Sequence, residues 1–371
     1  MSPAAAERPW VLVADGSVRP GGQGRAAVAA VRALGRGGYR AAVTVSDRSS
    51  LAAASRYCGR TVPVPRLTDP GFADAVTAEL ERHAYLTWLA ASDQVLEALD
   101  APVGHLLDKV ELARRADEAG VPVPPSRVFS SPEELTAAAG ELDYPVVVKP
   151  VVHRYTPYRA SSPAELTGKI LGDGEIIIQP FVDEPIRMVS GVMWGDRLLG
   201  AVHQRWLRLW KPVTGNASAA LTTEPDLELE GRLETLLRGY EGVFNAQLIG
   251  PYLLDVHPRV YGTHVLAEAA GANLIAWWCD LLRGLEVTPP RARPGVLYRW
   301  IEGDLRHVYE GLRSGRLSLP AALRIAAPRR GTAHSTESLS DPGPMLKRAW
   351  YSLRRAHIPE ERRRRLLPDR S

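Results

Sequence analysis

Between residues 8 and 100, short apolar runs alternate with longer stretches of helical periodicity. PWVLVADG reads as a buried strand, GRAAVAAVRALGRGG as a helix ending at Gly37–Gly38, and YRAAVTVSD as a second strand. That order implies a parallel sheet with right-handed crossovers, to which TVPVPRL and AYLTWLAAS add an edge and a core strand. HLLDKVELARRADEAGVPVPPS then predicts one amphipathic helix, stopped by Gly120 and a proline-rich exit. The strand YPVVVKP, the helix SSPAELTGKIL and the strand EIIIQPFV follow. From Arg187 the pattern turns antiparallel. MVSGVMWGDRLLGAVHQRW predicts a hairpin turning at Gly195–Asp196, LEGRLETLLRGYEG a helix, and FNAQLIGPYLLDVHPR a second hairpin. HVLAEAAGANLIAWWCDLLRG reads as a closing helix, and beyond about residue 291 the chain is rich in Arg and Pro, with short helices and no repeat.

Composition narrows the class. At 371 residues and 45% apolar, the chain is long enough for two or three domains with real cores, and disordered, collagen-like and disulfide-stapled classes are excluded. Cys58 and Cys279 cannot form a framework, so a reducing, cytoplasmic setting is expected. No apolar run reaches the roughly 20 residues of a membrane span, and MSPAAAERPWVLVAD reads as a first strand rather than a signal peptide. The net charge of +4 is uneven: Leu346–Ser371 carries nine Lys or Arg against three acids, leaving the other residues near −2. The run Arg362–Arg365 reads as a solvated tail, with RNA, anionic lipid or an acidic partner as the alternative; no nucleic-acid module accompanies it.

Three constellations carry chemistry. Gly22, Gly24 and Ala27 form a loose G-x-G-x-x-A between a strand and a helix, with Asp47 after the next strand. That fits either an NAD site or a structural glycine-rich turn. Only five of the 46 basic residues are lysines, and two of them stand out: Lys109 opens a helix and Lys149 ends a β-rich run. A lysine at the end of a buried strand must reach an anion or snorkel to water. In the second hairpin, a turn centred on Pro251 sets Gln247 opposite Asp255, with His257 on the same face. An amide oxygen, a carboxylate and an imidazole then converge, with Arg259 next in line and Leu248, Leu254 and Val256 filling the other face. The alternative is a polar face turned to solvent.

DKVELARRADEAGVPVPPS, YPVVVKP, IIIQPFV and LLDVHPRVYG, in this order, resemble the ATP-grasp superfamily over about residues 8–290. The resemblance implies an α/β and α+β chain. A Rossmann-like pre-ATP-grasp domain (1–100) precedes a two-lobed ATP-grasp domain (101–290, lobes 101–185 and 186–290) and a basic helical C-terminal extension (291–371). It implies Lys109 and Lys149 on the nucleotide phosphates, Gln179 with Phe181 and Val182 at the adenine, and Glu184 at the ribose. It further implies Gln247, Asp255 and His257 as magnesium ligands and Arg259 as a phosphate-stabilising cation. HQRWLRLWKPVTGNAS resembles a stretch of amino-acid-ligase-like and carbamoyl-phosphate-synthetase-like members, which puts Arg205 and Asn216 beside the transferred phosphate.

Two departures qualify the pattern. His257 stands where the motif has asparagine, and imidazole suits manganese or zinc better than magnesium. The loop after Lys149, VVHRYTPYRASS, has no glycine to cradle phosphates, so His153 or Arg154 would supply charge instead. The expected activity is an ATP- and divalent-metal-dependent carboxylate–amine ligase acting on small molecules. The alternatives are an ATP-grasp fold that binds nucleotide with altered catalysis, and an NAD-dependent oxidoreductase. A homo-oligomer is left open.

Overall fold

The structure, a computed structural model, describes residues 8–16, 24–151, 157–169, 174–210 and 215–356. Gly22, His153, Arg154, Lys211 and the run Arg362–Arg365 lie outside the described residues. The chain forms two compact units, one joining residues up to Leu99 to those from Thr336 onward, the other spanning Asp100–Ser335.

In the first unit, β1 (Trp10–Ala14), α1 (Arg25–Gly37), β2 (Arg40–Val45), β3 (Cys58–Pro63), α2 (Phe72–Arg82), β4 (Tyr85–Ala90) and α3 (Asp93–Ala98) follow in order. The four strands pair in parallel in the order β3-β2-β1-β4. β1 and β2 sit in the middle because their apolar runs are buried on both sides. β4, expected as a core strand, is an edge, and only Leu89 and Ala90 of it are buried. α1 ends at Gly38, where φ of +78° suits a residue without Cβ.

The same unit contains the helix Gly343–Ala356. Arg32 of α1 is buried, and a buried guanidinium needs a counter-charge. Asp341 supplies it: its carboxylate accepts from Arg32 Nε, Ser55 Oγ and the Arg56 amide, each at 2.8 Å. Residues 291–371, expected as one extension, are therefore divided, with the part up to Ser335 in the second unit and the part from Thr336 in the first.

The second unit begins with α4 (Gly104–Leu107) and α5 (Lys109–Glu118), where one continuous helix was expected. The break is at Asp108, whose Oδ1 accepts the amides of Val110 and Glu111 and so starts a new helix at Lys109. β5 (Arg127–Phe129), α6 (Pro132–Ala138), β6 (Val146–Pro150), β7 (Tyr158–Ala160), α7 (Pro163–Thr167) and β8 (Ile176–Pro180) build a four-stranded sheet in the order β5-β8-β6-β7. Its two faces differ by strict alternation. Val146, Val148, Ile176 and Ile178 join Leu135 and Leu166 in a core, whereas Lys149, Ile177 and Gln179 face a cleft.

β9 (Ile186–Trp194), β10 (Arg197–Leu209), β11 (Ala217–Thr222), α8 (Leu227–Leu236), β12 (Gly242–Ile249) and β13 (Tyr252–His257) come next. The β9–β10 hairpin turns at Gly195–Asp196 as expected, with positive φ at both (+54° and +58°), as a type I′ turn requires. α9 (His264–Ala269) and α10 (Leu274–Leu282) replace the single helix expected there. Gly271 leaves helical conformation with φ of +100°, and Asn273 Oδ1 caps α10 through the Ala276 amide. β14 (Leu297–Arg299), α11 (Ile301–Arg313), α12 (Leu319–Ala326) and β15 (Ala333–His334) complete the unit. The large sheet runs β13-β12-β9-β10-β11-β14-β15, so the arginine-rich segment contributes two strands that its composition did not predict.

Candidate functional site

A cleft with about 550 Å³ of empty space opens in the second unit. One wall is α5, through Lys109, Val110 and Leu112; another is the small sheet, through Val128, Lys149, Ile177 and Gln179; the third is β13, through Leu253 and Leu254. The walls are largely apolar, with a few polar groups, the usual make-up of a small-molecule pocket.

The two lysines meet here. Lys109 Nζ donates to Val151 O at 3.2 Å and lies 3.7 Å from Asp255 Oδ1. Lys149 is buried, and burial pushes its ammonium below the usual lysine range; nearby Asp255 pulls it back up and nearby Lys109 pushes it further down. Gln179 Nε2 donates to Ser126 Oγ at 2.8 Å, which fixes the amide in the cleft. Downstream, the Phe181 amide donates to Pro145 O at 2.9 Å, and Arg159 stacks on the Phe181 ring at 4.8 Å. Val182 is half-buried. Glu184 is exposed and stands beside the second hairpin's turn, where a Cβ on Gly250 would come within 3.2 Å of its own Cβ.

In that hairpin Gln247 pairs with Asp255 and Asn245 with His257. The pairing has a different origin from the symmetric turn read in the sequence. Ile249 pairs with Tyr252 across a two-residue turn, and a bulge between Gln247 and Leu248 then shifts the register by one. The bulge falls at Leu254, which consequently lines the cleft instead of filling the opposite face with Leu248 and Val256. Arg259 is half-buried just beyond β13, with Nη1 bonded to Val260 O at 3.0 Å.

Strand alternation separates Arg205 from this group. Asp255 pairs with Gln247, Gln247 with Met188 and Met188 with Gln204, so these four share one face. Arg205 shares the other face with His203, whose Nε2 is 3.0 Å from Glu230 of α8. The structure thus brings Lys109, Lys149, Gln179, Gln247 and Asp255 to one region and does not bring Arg205 there. Further along the same face lies a buried polar set that the sequence pattern does not single out. Ser190 Oγ donates to Asn245 Oδ1 at 2.9 Å, and fully buried His264 packs edge-on against Tyr261, with ring centroids 5.4 Å apart. Neither ring nitrogen of His264 has a hydrogen-bond partner among the described residues. In the sequence, GTH follows DVHPRVY directly, and no neighbouring residue marks its histidine as buried.

At the glycine-rich segment, Gly24 precedes α1 without a side-chain cap, and Asp47 Oδ1 accepts the Ser49 amide at 2.6 Å. No cluster of three or more His, Cys, Asp or Glu is placed to hold a metal among the described residues. No described helix is long and apolar enough to cross a membrane.

The fold is similar to those of several solved structures at low sequence identity. It is similar to L-amino acid ligase from Bacillus licheniformis, with a TM-score of 0.57 and 16% identity over 78% of this chain and 79% of that one. It is also similar to N5-carboxyaminoimidazole ribonucleotide synthetase in its ADP complex, with a TM-score of 0.61 and 16% identity over 85% and 87% of the two chains. Biotin carboxylase from Campylobacter jejuni gives a TM-score of 0.58 at 14% identity over 78% and 74%. Among curated proteins, the arginine-specific carbamoyl phosphate synthase large chain of Geobacillus stearothermophilus is 26% identical over 225 residues. That match takes in 52% of this chain and 20% of the synthase chain, a fifth of its length. No protein-family model matches the chain.

Proposed function

We propose that the second unit binds ATP in the cleft and uses it to join a carboxylate to an amine. The observation that carries this reading is the pair of lysines, Lys109 and the buried Lys149, lining an apolar cleft, with Asp255 3.7 Å from Lys109. Two cations and one carboxylate in a partly dry site suit a polyphosphate and its counter-ion. The base packs against Val128, Ile177 and Leu254, and Gln179 keeps its Oε1 as an acceptor for an exocyclic amino group. The Phe181 amide is already committed to Pro145, so the linker's share of base recognition falls to its carbonyl and to Val182.

The donors present fit a magnesium ion. That metal takes one or two carboxylates and completes its shell with substrate phosphates and water, and Asp255 with the Gln247 amide oxygen meets that need. His257, two residues along the same strand, would favour manganese if it joined them. A cation held there would offset charge on the phosphates.

The chemistry asks little covalent work of the protein. A substrate carboxylate oxygen attacks the γ-phosphorus, the bond to ADP breaks, and an acyl phosphate forms. An amine nitrogen then attacks the acyl carbon, phosphate leaves, and the amine gives up a proton to water. Lys149 and Lys109 hold the phosphates, and Arg259 supplies a further cation beyond β13. The L-amino acid ligase likeness supports amino acids as the first substrates to try.

Titration of the protein with ATP and magnesium, read by thermal shift and then by ADP release across amino-acid pairs, tests this. A ligand at about 100 times its dissociation constant adds roughly 2.7 kcal/mol of stability. No shift with ATP under magnesium or manganese would remove the reading.

A further inference from the structure

The hairpin of helices α11 and α12 is amphipathic the wrong way round. The inner side of α11 carries Gly303, Asp304 and Gly311. A Cβ on Gly303 would lie 2.4 Å from the Trp300 ring, and one on Gly311 would lie 2.4 Å from Leu317. Asp304 is buried and accepts from Arg208 at 3.0 and 2.9 Å and from Arg299 at 2.8 Å, which pins the helix to the large sheet. The outer side carries the bulk. Leu305, Tyr309 and Leu312, at helical spacing, are each 40–61% exposed, and Leu319 and Leu323 of α12 are each 63% exposed. With the inner contacts fixed, no rotation of α11 hides its stripe.

The charges around these side chains have one sign. From Leu305 to Arg330 there are six arginines against one acid, Glu310. Arg306 pairs with Glu302, whereas Arg313, Arg316, Arg324, Arg329 and Arg330 have no carboxylate partner among the described residues. Exposed leucines cost free energy in water, and unpaired arginines flanking them want anions. A second copy of the chain would bring like charges together. We propose that the α11–α12 hairpin is a docking surface for an anionic lipid bilayer. Leu305, Leu312, Leu319 and Leu323 enter the headgroup boundary, Tyr309 sits at the interface, and the arginines meet lipid phosphates.

The test is co-sedimentation of the full chain with phosphatidylcholine vesicles and with equimolar phosphatidylcholine–phosphatidylglycerol vesicles, at low and high salt. The expected result is binding to the anionic vesicles alone, weakened by salt. Leu319→Glu/Leu323→Glu lowers that binding at least about tenfold, and Arg313→Gln/Arg316→Gln about 25-fold, near fivefold per arginine. All four positions are exposed, so thermal midpoints stay unchanged; if the leucine variant does not fold, the arginine variant decides. Absence of binding to anionic vesicles overturns the proposal. So does binding that neither variant reduces, which assigns the lipid contact to another surface such as the basic tail. Self-association that the leucine variant abolishes, without vesicle binding, also overturns it and makes the occupant a second copy.

Discussion

Lys109 Nζ lies 3.7 Å from Asp255 Oδ1, joining the first residue of α5 to β13 of the large sheet. Lys149, buried at the end of β6, feels both groups. This triangle is why the cleft can be read as a site, and it sets the sign of the tests below.

Lys149→Met is expected to cut ATP affinity about tenfold or more, the value of one charge-assisted contact. The same change stabilises the fold. Because the folded-state pKa of Lys149 lies below the ordinary 10.5, the unfolded chain binds the extra proton, and wild-type stability rises with pH up to about 10.5. The variant should therefore be more stable than wild type at neutral pH, with the gain shrinking as pH approaches 10.5. Denaturant titrations at several pH values check it.

Asp255→Asn separates stability from chemistry. The carboxylate is 29% exposed, so losing its pair with Lys109 costs under about 1 kcal/mol. Loss of ADP release by about 100-fold or more is expected, because transition-state charge loses its organiser. Equal activity in wild type and variant would remove Asp255 from the site.

His264 is expected to contribute acid sensitivity to the second unit. Burial lowers its pKa to about 3, against 6.5 for the free side chain. The unfolded state is then protonated first, so stability is lost as pH falls from 6.5 toward 3, at about 1.4 kcal/mol per unit. His264→Leu should flatten the stability curve over that window. An unchanged slope in unfolding experiments would mean that the ring already shares its proton in the native state.

Asp341→Asn tests the anchor of the C-terminal helix. Burial opposes the Asp341 charge, but the hydrogen bonds from Arg32, the Arg56 amide and Ser55 prevail and hold its carboxyl below the ordinary 3.8. That stabilisation is present above about pH 3.8 and fades as pH falls through the folded-state value. The variant leaves Arg32 buried without its counter-charge, at a cost of about 3 kcal/mol at neutral pH. The difference from wild type should close below pH 3.8, as unfolding of the first unit would show.

Local order in this protein was legible because it depends on neighbours in the chain. The alternation of VVVKP and IIIQP separates a core face from a cleft face, and the Gly195–Asp196 pair can hardly make any turn but a tight one. Lys109, Lys149 and Asp255 were legible as chemistry for the same reason, since each sits at a recognisable end of an element. What the sequence could not carry was register and face at a distance. The bulge that sends Leu254 into the cleft depends on how β12 meets β9, and Arg205 falls on the face of His203, away from Asp255, because β10 is locked between β9 and β11. The helix break at Gly271, the strands at 297–299 and 333–334, and the Arg32–Asp341 pair are likewise decided by what long-range packing must satisfy. Sequence determined which residues carry charge at the ends of these elements, and the tertiary structure decided which of them meet at the cleft, because a side chain's face is set by its partners across the sheet.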